Sequence, residues 1–225
     1  MKPEDSLDLQ NKRLGQLVQR AADFVLDLLS TSLQSRFVFH NQRLTVLTVH
    51  AVRQIGLHQN LSQDQIHRLE IAAWFQNTGF VREAKNPINS AAAYTNNFLE
   101  RNGVDIKEKH QIIAAMRHTA HPHKVENLME RVLYDAKWYF LAASNCKEML
   151  QRMRQELAFQ NEIYLDEEWR SYVARMVYGH EYLTEYGFNV LEKQKRKNFY
   201  AFRAHRADDL VAQSISPVDQ DPMTF

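Results

Sequence analysis

At 225 residues, 44% of them hydrophobic, the chain is long enough to bury a sizeable core without covalent staples. Its 28 lysines and arginines against 27 acidic residues leave a net charge of +1, so no global charge points to nucleic acid or to an acidic membrane. The single cysteine, Cys146, excludes an intrachain disulfide and a cysteine-based zinc site.

As one small apolar side chain, Cys146 is expected in the core of a protein from a reducing compartment. The opening Met1-Lys2-Pro3-Glu4-Asp5-Ser6 lacks the basic-then-apolar order of a secretion signal. No run approaches the roughly 18 apolar residues that span a bilayer. A soluble, cytoplasmic protein is expected.

From Leu7 to Leu33, Leu14, Leu17, Val18, Ala21, Phe24, Val25, Leu28 and Leu29 recur at helical spacing. Phe37-Val38-Phe39 reads as a short extended approach to Asn41, a candidate cap for a helix ending near Gly56 or His58. Ser62-Gln63-Asp64-Gln65 has the form of a capping box, and the helix it opens carries Ala72-Ala73-Trp74-Phe75 toward Gln76-Asn77-Thr78-Gly79. Two adjacent uncharged amides after an aromatic pair make this the central stretch of the chain.

Asn86-Pro87 predicts a loop and a helix start, with that helix running to Asn102-Gly103. Another follows from Ile106 to Met116, and Thr119-Ala120-His121-Pro122-His123 breaks the periodicity. Helices are then predicted over Val125 to Ala143, over Met149 to Phe159, from an Asp166 cap toward His180, and over about Glu185 to Leu210. The fold class is all-α, a single bundle of roughly eight to ten helices over residues 1–210, followed by a flexible tail over 211–225.

Few residues are candidates for chemistry. His118, His121 and His123 lie close in sequence but without the carboxylates a divalent-metal site usually adds. Lys137, flanked by Ala136, Trp138 and Tyr139, sits among more apolar neighbours than a surface lysine normally has. Lys193, Lys195, Arg196, Lys197, Arg203 and Arg206 interleave with Phe199, Tyr200 and Phe202. That mix can grip a phosphate backbone or a membrane surface, but Glu192, Asp208 and Asp209 dilute it, so nucleic acid is not the expected partner. There is no glycine-rich phosphate loop and no nucleophile elbow.

The order of elements resembles the HD superfamily of metal-dependent phosphohydrolases over about residues 20–200. The resemblance is carried by Phe39-His40-Asn41, by Ala72-Ala73-Trp74-Phe75 and Thr78-Gly79-Phe80, by Ser90 before an alanine-rich helix, and by Tyr134-Asp135-Ala136. Trp169, His180 with Thr184, and Asn198-Phe199 continue it. It is closest to a bacterial branch whose longer members carry a membrane-spanning tail and act as effectors of cyclic-nucleotide antiphage signalling. The resemblance places the family's metal-holding histidine at Leu44, its His-Asp pair at Gln76 and Asn77, and its distant aspartate at Lys137. An auxiliary His-Glu falls near Asn86-Pro87, and a threonine falls at Met116.

Every one of these positions is replaced, while the flanking residues still match. Leucine has no lone pair, neutral amides are weak ligands, and an ammonium about 4 Å from a divalent ion is unfavourable by several kcal/mol even at an effective dielectric near 20. The resemblance therefore implies an HD-type frame with no metal, no cofactor and no catalytic residue.

Lys137 is expected to stand in for the lost ion, donating to the Gln76 and Asn77 carbonyls while Leu44 fills the space. With Arg117 or His118, it would meet a small anion or nucleotide; alternatively the helical surface would serve a protein partner or a homodimer. The competing expectation is a phosphohydrolase with a relocated site at His118, His121 and His123.

Overall fold

Polar residues at the ends of the apolar runs set the helix starts. Asn41 accepts hydrogen bonds from the Arg43 and Leu44 amides, Ser62 and Gln65 form a reciprocal capping box, Asp105 accepts from Lys107 and Glu108, and Asn127 accepts from Glu130. In this computed structural model, which describes residues 3–214, these caps open four of nine α-helices, and no strand occurs among the described residues. The helices are α1 (Pro3–Ser32), α2 (Gln42–His58), α3 (Gln63–Phe75), α4 (Pro87–Arg101), α5 (Ile106–His118), α6 (Leu128–Lys137), α7 (Cys146–Phe159), α8 (Asp166–Gly179) and α9 (Glu192–Ser214). No helix among the described residues is long and apolar enough to cross a membrane.

Helix α3 is the axis of the bundle and contacts α1, α2, α4, α5 and α6. Its second half, Leu69 to Phe75, is buried at every position, as a helix surrounded on all sides must be. Glu70 is the one charge in that run, and Arg53 of α2 neutralises it.

Two hydrophobic clusters result. The larger joins α1 through α6. The smaller gathers Phe39, Leu44 and Phe140 with Met149, Trp169, Val173 and Phe199, the last four from α7, α8 and α9. Trp138 packs against both clusters. Cys146 lies in the smaller one, where burial pushes its thiol up to about 12, so it is an inert core side chain.

Several boundaries differ from the sequence pattern; α7, for one, starts at Cys146 and not at Met149. The helix expected from Val125 to Ala143 is shorter, because Asn127 caps it and the Trp138 amide divides its hydrogen bond between the Tyr134 and Asp135 carbonyls. That bifurcation tightens the chain into a separate 3-10 turn, Tyr139–Leu141. Asp166 is the first residue of α8 and not its cap; its carboxylate binds Arg154 at 2.8 Å, while Glu168 satisfies the Leu165 amide. The stretch Phe37-Val38-Phe39 is not extended but turned, since the Gln34 and Arg36 carbonyls and the Glu156 carboxylate supply its hydrogen bonds. Of the expected tail, residues 211–214 continue α9 and 215–225 lie outside the described residues.

Asp135, fully buried, ties α6 to the turn before α9. It accepts from the amides of Leu183 (2.8 Å) and Thr184 (2.9 Å) and from the Thr184 hydroxyl (2.6 Å), which in turn accepts from the Gly187 amide at 2.9 Å. Burial pushes the carboxyl up to about 6 against these three hydrogen bonds. A Cβ on Gly187 would lie 2.3 Å from the carboxylate, so only glycine permits the approach. Thr184→Val removes a donor and an acceptor from this knot while keeping its volume. It should cost about 1–3 kcal/mol in urea unfolding.

Candidate functional site

The end of α3 brings Gln76 and Asn77 to the seam between the two clusters, where a cavity of about 270 Å³ opens. Leu44 of α2 and Lys137, the last residue of α6, line the same cavity. Thus the four positions singled out in the sequence, spread from 44 to 137, share one site. Arg117 and His118 do not line it. The turn after α5 presents Thr119 and Ala120 instead, and the His118 Nδ1 lies 3.0 Å from Glu130.

The expected bonds between Lys137 and the two amides do not form. The Lys137 ammonium donates to the Thr119 carbonyl at 3.4 Å, the Gln76 amide nitrogen to the Thr119 hydroxyl at 3.1 Å, and the Asn77 amide nitrogen to the Thr45 hydroxyl at 3.0 Å. Threonines at the ends of α5 and α2 are within reach of these groups, so Thr119 is the hub. Among the described residues no carboxylate pairs with Lys137, and two of its three N–H groups have no protein partner. Leu44 is buried and contributes an apolar wall to the cavity, which stays open beside it.

Lys137 is exposed by surface area, yet the protein crowding around it lowers its pKa by burial. Both describe a side chain on a concave wall: water reaches it from the cavity, while protein replaces solvent on its other sides. Around it the cavity is aromatic and aliphatic, with Phe39, Phe80, Trp138 and Phe140 facing Ile88 and Met153.

His40 is the one other ionisable side chain of the lining. Its Nδ1 meets Glu156 in a short contact, its ring stacks on Phe80 at 4.0 Å, and Glu156 also accepts the Phe39 (2.8 Å) and His40 (2.9 Å) amides. Burial raises the Glu156 carboxyl, but the His40 hydrogen bond and charge and these two amides together leave it below its ordinary value. In the sequence Phe39-His40-Asn41 reads only as the approach to a helix, since 116 residues separate His40 from its carboxylate.

No family model, curated protein or solved structure matches the chain.

The donor set at residues 44, 76, 77 and 137 does not fit a divalent ion: one position has no donor atom, two are neutral amides and the fourth is a cation. A relocated site at the histidines finds no geometry either. His121 and His123 are exposed with ring centres 5.8 Å apart, and no group of three or more His, Cys, Asp or Glu among the described residues is placed to share a metal. Within the basic stretch of α9, Lys195 leaves the exposed face that carries Lys193, Arg196 and Lys197. Lys195 is buried, its ammonium donating to the carbonyls of His180 (2.6 Å) and Val177 (3.2 Å), and Phe199 is buried beside it. The side chain of Arg206 lies outside the described residues.

Proposed function

We propose that this protein is a binding and regulatory module, an HD-like helical frame whose metal-dependent hydrolysis has been lost and whose cavity takes a small anionic ligand. One observation carries it: Leu44, Gln76, Asn77 and Lys137, which the family resemblance assigns to metal ligands, line a single cavity in which the only net positive charge is an ammonium without a carboxylate partner. An apolar concavity with a few convergent polar groups is the usual form of a small-molecule site. The purified protein should carry no stoichiometric Mn, Fe, Zn or Mg, and elemental analysis showing about one equivalent, lost on Asn77→Ala, would refute the reading. Membership of nucleotide signalling follows the same resemblance and is tested by the AMP titration in the binding experiment below.

A second reading, hydrolysis by other means, draws on the His40–Glu156 pair at the cavity wall. Turnover of p-nitrophenyl phosphate that disappears in His40→Gln would favour it over binding alone.

A further inference from the structure

We propose that the ligand is a monocarboxylate on an apolar body, a medium-chain or aromatic acid, with its carboxylate on Lys137 and its body among Phe39, Phe80, Phe140 and Met153. This rests on the binding function proposed above and names its ligand class.

Charge count decides the head group. Lys137 and His40 are the only ionisable side chains in the lining, and Glu156 sits on His40. An imidazolium with its carboxylate sums to zero and a neutral imidazole with it to minus one, so the pair never adds a positive charge. One ammonium matches one negative charge. A phosphate monoester, close to two negative charges at neutral pH, would bring a surplus that no arginine of the lining meets.

Hydrogen bonding agrees. Lys137 has two free N–H groups, and the Gln76 and Asn77 amide nitrogens, each engaged once with a threonine, keep a second N–H apiece. Burial disfavours the bare ammonium, and a carboxylate supplies the counter-charge it lacks.

Wall composition decides the rest of the molecule. Aromatic and aliphatic side chains make up most of the lining, leaving few partners for the hydroxyls of a sugar or the edge of a base. Buried polar groups without partners are costly, so a sugar or base would bind at a penalty that an alkyl chain or aryl ring does not meet. At about 270 Å³ the cavity falls just under the range of roughly 300–1,000 Å³ usual for drug-sized ligands, which suits one ring system or a short chain.

The test titrates the full-length protein with butanoate, hexanoate, octanoate, octanamide, inorganic phosphate and AMP, read by calorimetry and by the fluorescence of Trp138 in the cavity wall. Octanoate should bind at least tenfold more tightly than octanamide, and each methylene from butanoate upward should add about fourfold in affinity. Lys137→Met, with Lys137→Gln as a second variant and circular dichroism to verify folding, should bring octanoate down to the level of octanamide. Equal binding of acid and amide in the parent, or octanoate binding that survives both substitutions, would overturn the proposal. AMP or phosphate binding that depends on Lys137 while octanoate fails would overturn the ligand class and leave the binding function standing. Failure of every compound, octanamide included, would remove both.

Discussion

Lowering the pH from 7 to 4 should widen the stability gap between a His180→Phe variant and the parent protein by about 3 kcal/mol in favour of the variant. His180 is buried between Tyr134, Trp138 and Tyr182, with ring centres 5.7, 4.8 and 4.6 Å away, and neither ring nitrogen has a hydrogen-bond partner. Burial first, then the Lys195 ammonium, pulls its pKa down to about 3; Glu192 opposes weakly. The folded state therefore refuses a proton that the unfolded chain accepts below about pH 6.5, and stability is lost as pH falls through that range.

Asp135 runs the other way. Its pKa is raised to about 6, so the folded state holds a proton that the unfolded chain has released, and stability is lost as pH rises from its ordinary value through 6. In the parent the two contributions offset one another between about pH 4 and 6. Because Asp135 is present in both proteins, it cancels from the gap, which isolates His180. Urea unfolding at several pH values measures it, and a gap independent of pH would mean that the imidazole charges within the fold.

Gly79→Ala should destabilise the protein by about 3 kcal/mol or more, at the upper end of overpacking costs. A Cβ on Gly79 would stand 1.7 Å from the Pro87 carbonyl oxygen and 2.5 Å from its carbon. Neither is the end of a flexible side chain, so the start of α4 has to move bodily away from the turn Thr78–Val81. Phe80, Pro87 and Ile88 line the cavity, so ligand affinity should fall together with the midpoint of unfolding. Gly179→Ala is the control, since nothing lies within 4 Å of its Cβ, and it should stay within about 0.5 kcal/mol of the parent. If Gly79→Ala melts like Gly179→Ala, close packing of α4 on that turn is not what holds the cavity wall.

Local chemistry made most of the architecture legible before any coordinate. The Asn41 cap, the Ser62 box and Pro87 in a first turn are short-range patterns, and each begins a helix where its residues said it would. The family resemblance also groups residues 44, 76, 77 and 137, and these four line one cavity.

What escaped depends on contacts far apart in the chain. Lys137 was paired with the amides because all three positions belong to one site, but Thr119 and Thr45, brought in by α5 and α2, are the partners actually in reach. Apolar spacing persists past Trp138 and so overstates the length of α6, whereas the divided hydrogen bond that ends the helix leaves no mark on spacing. Lys195 read as one charge of a basic face, yet its stem and ammonium serve the interior carbonyls of the α8 terminus.

The seam that houses the cavity also sets its mechanical role. Phe39, Leu44 and Phe140 belong to one hydrophobic cluster, the end of α3 belongs to the other, and Trp138 touches both. A guest lodged there would act as mortar between two blocks, and its free energy of association would resist their parting. Occupancy would thus be felt at α8 and α9, which belong to the smaller cluster, without either helix touching the guest.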